Sequence, residues 1–497
     1  MLSHSFSSSK TRASALSVVS IAALYLTTSL PAHALEGRAL FEKLITDAGG
    51  SVKWEQISEQ VPDSFTATRL TFVNPKGREM QAEAMSVSGL REASQGRVTI
   101  DSLSLSKLTG PTDSGAMIIN GFVIENGNFP VEIWKDGLTD EERKQRISFG
   151  TFAINGTAIS SQQGDLTIDT IAMINGDIPL DYRFNNPDAN QSEIADPLTF
   201  DQFTVSNMAG TAQNDVTWQL GGVSLTDAQF PTAMTDIGDW MQVYSTFSMT
   251  GIKVAVAGLD VFGVGSMTGQ ITPPDAEGTS RSRGAVDGLK INLEAIPDPN
   301  SQQVFKTLGY TEVTGSMTAE GSYNPKTGKA VLDSTVLKLK DMADLALSYG
   351  IEGYTADVAQ AIAQAQAKAG SGTPTQEAFG AILPELSKLK LSNFKLALTD
   401  RSLTSRLLDF QAAQMGTTGD QLAAGAPMMI GIGLGQLGMP EFTDMVTKAV
   451  GTFLSTKGTL TVEATPSEPV PIMTTVLAGQ ADPTRIPELI NLQITAQ

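Results

Sequence analysis

The side chains that could carry chemistry in this chain are almost all carboxylates. Its 497 residues include no cysteine, and its only two histidines are His4 and His33. A Ser-His-Asp triad, a cysteine nucleophile, the usual zinc sites and a His-ligated haem all require those side chains. Both histidines lie within residues 1–34, which we expect to be removed as a leader. We therefore assign no catalytic residue, expect neither a metal nor a cofactor, and favour a protein that is not an enzyme.

Carboxylates alone can support glycoside hydrolysis, which needs two of them facing each other across a cleft. The acidic clusters are Asp140-Glu141-Glu142, Asp181 with Asp188, and Asp236 with Asp239. The first cluster is followed by two basic residues, which is typical of a solvated loop or a helix start. Paired acids also suggest calcium, but the sequence contains neither a D-x-[DN]-x-[DN]-G loop nor a G-G-x-G-x-D array.

The N-terminal segment has the features of a secretory signal peptide. Lys10 and Arg12 precede an uncharged run over residues 13–30, and a cleavage motif of small residues ends at Ala34. We expect residues 1–34 to be removed and the protein to be periplasmic or secreted; an uncleaved membrane anchor is the alternative. Removal takes away two basic residues and no acidic ones, which leaves 32 − 53 = −21 charges and disfavours nucleic acid as a partner.

The remaining sequence is typical of a β protein with many turns. It is rich in glycine, and only 18% of the chain is charged. Asn-Gly dipeptides, the strongest short-range hairpin signal, begin at Asn120, Asn126, Asn155 and Asn175. Hairpins are therefore expected to dominate residues 80–340.

An eight-residue pattern with apolar residues at positions 1, 3, 6 and 8 recurs without a fixed period. Clear copies begin at Val98, Ile147, Leu166, Leu198, Phe247 and Leu389. Alternation breaks between positions 3 and 6, so an unbroken strand would turn the two halves of each copy to opposite faces. A bulge near positions 4 and 5 would return all four apolar residues to one face and bend the strand.

Many bent strands with one apolar face predict a mainly β fold. We expect an elongated, curved, groove-like antiparallel sheet, with one or more β-sandwiches as the alternative. A helix at residues 37–48 and the repeated β region should occupy residues 35–354, followed by a mixed α/β region over residues 355–497. In that last region, helices are predicted after Asp400 and from Pro440.

Residues 421–440 form a charge-free segment rich in glycine. Its five glycines and Pro427 argue against a stable transmembrane helix, since each glycine costs about 1 kcal/mol in a helix interior. We interpret the segment either as a buried connection between two helices or as a flexible apolar loop that contacts lipid. In the second case the ligand-binding residues would be Met428, Met429, Ile430, Ile432 and Leu434.

The octads, of the form L-x-[IF]-D-x-[LF]-x-[LV], resemble the β-repeat regions of AsmA-like proteins and of related uncharacterised proteobacterial envelope families. The resemblance covers roughly residues 65–400. It implies an elongated, groove-shaped sheet whose concave face is apolar and can hold lipid acyl chains. Those proteins usually keep an N-terminal membrane anchor, whereas cleavage is expected here, which implies a carrier or accessory protein rather than a bridge fixed in one membrane.

The sequence thus predicts a non-enzymatic protein of the cell envelope that binds or carries lipid, or another apolar ligand, in a β-groove. An envelope protein is a second candidate partner, and no stable transmembrane segment is expected after cleavage. Two alternatives stay open. One is a secreted adhesin or structural surface protein with a closed sandwich, and the other is a carboxylate-based glycan hydrolase.

Overall fold

The computed structural model describes most of the chain after the predicted leader. The described residues are 36–47, 49–74, 77–112, 115–131, 145–180, 197–213, 215–230, 243–296, 298–355, 357–359, 361–362, 384–436 and 438–497. The predicted leader and the three acidic clusters lie outside these residues. The chain divides into two compact units, one through Ala233 and the other from Met234 onward. The division expected near residue 355 stays a prediction.

The first unit is an antiparallel meander that begins with one helix. The helix α1 spans Gly37–Asp47, as predicted. The strands are β1 (Ser51–Lys53), β2 (Gln56–Val61), β3 (Ser64–Val73), β4 (Glu79–Ser88), β5 (Arg91–Ala93), β6 (Arg97–Pro111), β7 (Gly115–Pro130), β8 (Arg146–Ser161), β9 (Gly164–Pro179), β10 (Leu198–Ala212) and β11 (Val216–Phe230). Strands β6 to β11 pair in sequence order, while β3 pairs with β1, β2 and β4, and β6 also pairs with β4 and β5.

The core of the first unit lies between α1 and one face of the sheet. Leu40 and Leu44 of α1 are completely buried, and the ring of Phe41 packs edge-on against Phe65 of β3 at 5.6 Å. Buried side chains continue on this face through Ile154 of β8, which is 2% exposed, to Val205 of β10, which is 8% exposed. Burial of these aliphatic and aromatic side chains stabilises the unit without any disulfide.

The prediction that the four apolar residues of an octad share one face is confirmed in this unit. Val98, Ile100, Leu103 and Leu105 occupy positions 1, 3, 6 and 8 of the first copy, and all four are buried. They therefore share one face of β6, with the break in alternation at Asp101. The bulge expected there is wrong: β6 keeps one pairing register with β7 on both sides of Asp101, with Ile100 opposite Gly127 and Ser102 opposite Glu125. The two strands instead kink together where Asp101 faces Asn126, whose φ is 52°.

The breaks of neighbouring strands form two lines across the sheet. The first line is Asp101, Asn126, Gly150, Asn175, Asp201 and Asp227; the second is Lys107, Asn120, Gly156, Asp169 and Asn207. In each line the residues with positive φ lie on alternate strands. The Asn175 side-chain amide donates to the Asp201 carboxylate at 2.6 Å, and the Asn207 amide donates to Asp169 at 2.8 Å. An acidic residue at the fourth octad position thus accepts a hydrogen bond at the kink.

The prediction that the Asn-Gly dipeptides form hairpin turns is wrong. Asn120 and Asn126 lie inside β7, Asn155 lies inside β8 and Asn175 lies inside β9. The φ angles of Asn126 and Asn175 are 52° and 51°, in the left-handed region that asparagine tolerates better than most residues. The strands use this property where they kink rather than where they end.

The second unit continues with antiparallel strands and carries most of the helices. Its strands are β12 (Thr246–Val256), β13 (Leu259–Thr272), β14 (Ser280–Asn292), β15 (Glu312–Asn324), β16 (Lys329–Leu339), β17 (Ala343–Glu352), β18 (Lys390–Asp400), β19 (Thr459–Ala464), β20 (Val470–Pro471) and β21 (Leu492–Ala496). Strands β12 to β19 pair in sequence order, β21 follows β19, and β20 pairs with β18.

In the sequence, the helices of the second unit lie between these strands. They are α2 (Pro299–Thr307), α3 (Leu403–Met415), α4 (Gly419–Gly435), α5 (Pro440–Thr456), α6 (Ile472–Ala481) and α7 (Ile486–Leu489). The predicted helix after Asp400 and the predicted start at Pro440 are confirmed. The mainly β fold with an open antiparallel sheet and C-terminal helices is therefore as expected, with 57% of the described residues in strands. Within each unit the described strands belong to one sheet, so the sandwich alternative is wrong.

Candidate ligand groove

One face of the sheet in the second unit carries continuous rows of apolar side chains. Alternate residues of a strand point to the same face, and the pairing register aligns them across the sheet. One row consists of Met249, Met267, Val286, Met317, Leu337, Leu345, Leu398, Leu460 and Ala496. Strands in a sheet lie about 4.8 Å apart, so the row extends over roughly 38 Å of sheet.

This apolar row is only partly buried. Met317 is 37% exposed and Leu345 is 38% exposed, and their neighbours in the row are half-buried. Apolar surfaces larger than a few hundred Å² are rare on soluble monomers and mark interaction sites when they occur. The row is therefore a candidate contact surface for a ligand or for a protein segment that covers it.

A groove of about 460 Å³ lies on this face over β12–β17. Its floor is made of small residues, because Gly269 pairs with Gly284, and Gly284 pairs with Ala319. Large side chains surround the floor: Tyr244, Phe247, Met267, Ile271, Tyr323, Leu332 and Tyr349. Gly284 and Ala319 leave free the space that larger side chains fill elsewhere on the face, whereas the space above Gly269 is occupied by Tyr244.

Tyr244 lies over the floor of the groove. A Cβ atom on Gly269 would be 3.3 Å from the Tyr244 hydroxyl oxygen, and the Tyr244 ring lies 6.0 Å from that of Phe247. Burial raises the pKa of Tyr244 above its ordinary value of 10.0, so its hydroxyl is neutral at physiological pH. The groove has two charged residues, Arg283 and Glu320, and both are exposed. Each is next to a floor residue in its strand, Gly284 or Ala319, so its side chain points to the other face of the sheet.

These features suit a long apolar molecule. The volume lies within the range of about 300–1,000 Å³ that is usual for small-molecule sites. Aromatic, methionine and aliphatic side chains offer dispersion contacts along the groove, and methionine adapts to different ligand shapes. The arrangement can hold and orient an apolar chain; the lining residues form no acid–base or nucleophilic constellation.

Residues 421–435 of the charge-free segment are helical, so both interpretations of this part, as a connection and as a flexible loop, are wrong. The helix α4 begins with a capping box in which the Thr418 hydroxyl accepts the backbone N–H of Gln421 and the Gln421 side chain accepts that of Thr418. It also packs against α3 and α5. This cap and packing outweigh the intrinsic cost of the glycines and of Pro427.

The predicted ligand-binding residues lie on α4 and are not brought together with the groove. Met428, Met429 and Ile432 are 72%, 63% and 61% exposed, while Ile430 and Leu434 are half-buried. None of the five lines the groove. Their role in ligand binding stays a prediction.

Comparison with known proteins adds one match. A family model described only as an uncharacterized protein matches residues 336–497. The matched range runs from the end of β16 to β21 and includes α4. The sequence matches no curated protein.

In the part of the chain that the structure describes, no helix is both long enough and apolar enough to span a bilayer.

The sequence predicted a groove-like sheet but not the position or the lining residues of this groove, because no local pattern marks them. Gly269, Gly284 and Ala319 belong to three different strands, and only the pairing register places them side by side. The available signals were the octad copy at Phe247 and a weaker copy at Gly284, which mark apolar strands but not the gap between their side chains.

Proposed function

We propose that this protein binds a lipid acyl chain, or another long apolar ligand, in the groove over β12–β17. The observation that carries the proposal is the small-residue floor of Gly269, Gly284 and Ala319 within a half-exposed apolar face. Each methylene group that leaves water for such a groove contributes about 0.8 kcal/mol. A chain of many methylenes therefore binds there without any charged anchor.

The cellular role we propose is that of a non-enzymatic carrier or accessory protein of the cell envelope, in the periplasm. This part of the proposal is supported by the signal-peptide features of residues 1–34 and by the resemblance of the octads to AsmA-like β-repeats. A carrier needs a site that is open enough to load and release its ligand. The partial exposure of Met317 and Leu345 beside the groove meets that need.

The first test is mass spectrometry of an organic extract of the protein, purified without detergent and compared with an equally treated control protein. We expect a phospholipid, a fatty acid or another apolar molecule at a stoichiometric amount. A clean, empty and monomeric protein would reject the carrier role and favour an adhesin or structural surface protein.

A pair of variants tests whether the ligand occupies the groove. Ala319→Phe places a ring on the groove floor, whereas Thr318→Phe places the same ring one residue earlier on the other face of β15. We expect the extracted ligand to fall several-fold in Ala319→Phe and to be unchanged in Thr318→Phe. Equal ligand content in the two variants would locate the ligand elsewhere.

A further inference from the structure

The contact between α4 and α5 is made by small residues. A Cβ atom on Gly431 would lie 3.6 Å from the Thr447 hydroxyl oxygen, and one on Gly451 would lie 3.2 Å from Pro427 Cγ. Residues four apart share one face of a helix, so Pro427 with Gly431 and Thr447 with Gly451 define the two facing surfaces. The helices therefore form a closely packed antiparallel hairpin.

Three large apolar side chains of α4 are exposed, whereas Leu422, Ile430 and Leu434 are half-buried. Met428 and Ile432 are four residues apart and, with Met429, are among the most exposed large apolar residues that the structure describes. A surface helix in water normally buries its large apolar side chains and exposes polar ones. The helix α4 instead leaves three of its six large apolar side chains exposed.

Small residues at helix contacts with large apolar residues on the outside are typical of helices in a lipid environment. Lipid tails are as apolar as a leucine side chain, so burying large side chains between helices gains nothing there, and close backbone approach at small residues supplies the packing. The arrangement of α4 and α5 thus indicates that the exposed side of α4 meets hydrocarbon rather than water.

The charges around α4 indicate which lipid surface it fits. Residues 421–440 carry no charge, and the flanking residues Asp420 and Glu441 are both acidic, in a chain with a net charge of −19. An anionic bilayer would repel these carboxylates, whereas the ammonium groups of zwitterionic headgroups would lie favourably beside them. The charge pattern is complementary to a zwitterionic surface.

We infer that α4 docks on the surface of a zwitterionic lipid bilayer, with Met428, Met429 and Ile432 at the boundary between headgroups and acyl chains. The helix has 17 residues and lies flat in the interface instead of crossing it. Docking would bring the protein to the source of an apolar ligand. The inference does not depend on the groove, because these three residues do not line it.

Flotation of the full-length purified protein with phosphatidylcholine vesicles tests this docking. We expect the wild type to float with the vesicles. The amount of the double variant Met428→Asp/Ile432→Asp that floats should be at least about tenfold lower, because carboxylates resist burial in the interface. Leu259→Asp is the matched control, since Leu259 at the start of β13 is 62% exposed, and it should bind like the wild type. Phosphatidylglycerol vesicles should bind less protein than phosphatidylcholine vesicles.

A tryptophan probe gives an independent measurement in a variant that keeps the apolar surface. Met429→Trp should show a blue shift of its emission with phosphatidylcholine vesicles and quenching by brominated acyl chains, whereas Leu259→Trp should show neither. Absence of vesicle binding by the wild type, or equal binding by the double variant with an unchanged circular dichroism spectrum, would overturn the inference. Self-association that the double variant abolishes, without vesicle binding, would assign α4 to a second copy of the chain instead.

Ligand binding in the groove and docking of α4 on a bilayer can be tested independently of each other. Ala319→Phe should lose ligand and keep vesicle binding, while the Met428→Asp/Ile432→Asp variant should lose vesicle binding and keep a groove that accepts added fatty acid. A loss of both properties in Ala319→Phe would overturn the separation of the two sites.

Discussion

The guanidinium of Arg97 donates a hydrogen bond to the backbone carbonyl oxygen of Arg146, 49 residues further along the chain, at 2.8 Å. Arg146 repeats this contact on the carbonyl oxygen of Pro197 at 2.7 Å. Each arginine also donates to the side chain and carbonyl of a residue on the neighbouring strand, Asn128 for Arg97 and Asp177 for Arg146. The two arginines therefore tie successive hairpins of the first unit together.

Replacing Arg97 tests this tie. We expect Arg97→Lys to lower the free energy of unfolding by about 1–3 kcal/mol, because lysine cannot reproduce the planar set of donors and leaves partly buried carbonyls unpaired. Arg91→Lys is the control, since Arg91 and its partner Asp101 are both more than half exposed. Its effect in urea denaturation should stay within about 0.5 kcal/mol. Equal losses in the two variants would contradict the tie.

Replacing Asn175 tests the kinks. Asn175 has a φ of 51° and donates to Asp201. Both Asn175→Ala and Asn175→Gly remove the hydrogen bond, but alanine keeps a Cβ atom in the left-handed region and glycine removes it. We therefore expect the alanine variant to be less stable than the glycine variant by about 1 kcal/mol in matched denaturation curves. The reverse order would show that the left-handed conformation does not limit stability at this position.

Ionisation of Tyr244 should lower the stability of the second unit at alkaline pH. Burial raises its pKa, so the folded state keeps the phenol proton at pH values where the unfolded chain has released it. The resulting stabilisation is complete below the unfolded pKa of 10.0 and is lost as the pH rises through the folded pKa. Between about pH 9 and about pH 11, the wild type should therefore lose more stability than Tyr244→Phe. Urea denaturation at both pH values measures the difference, and parallel losses would contradict it.

The start of α3 depends on a buried carboxylate. Asp400 is 6% exposed, and its carboxylate accepts the backbone N–H of Thr404 at 2.8 Å. We expect Asp400→Ala to lower the free energy of unfolding by about 1–2 kcal/mol, because an N–H at the helix start loses its acceptor. Asp400→Asn keeps an acceptor oxygen and should lose clearly less stability in the same denaturation assay. If the two variants are equally unstable, the capping hydrogen bond is not the cause.

The parts of the fold that were predicted correctly depend on local patterns. The four apolar residues of the copy at Val98 share a face because the spacing of that copy already contains the break in alternation. The helix α3 begins after Asp400, whose carboxylate accepts the Thr404 N–H, and ends before Gly416, whose φ is 68°. The helix α5 begins at Pro440.

The Asn-Gly dipeptides and α4 were predicted incorrectly for a related reason. An Asn-Gly dipeptide indicates that a positive φ is tolerated, and a turn or a kink can use that tolerance equally well. At Asn175 the neighbouring strand supplies Asp201 as a partner, which favours the kink. At α4 the glycines weaken the helix locally, but Gly431 and Gly451 allow the close approach of α5 that stabilises it.

Composition and local spacing suffice to exclude cysteine chemistry, to establish the acidic charge and to place apolar residues on one face of bent strands. They cannot locate the groove, because Gly269, Gly284 and Ala319 become neighbours only through the pairing register of three strands. They also cannot show that Met428 is exposed, since that depends on which face of α4 packs against α5. Both features arise from contacts between residues far apart in the chain, and such contacts leave no mark in the pattern of any single segment.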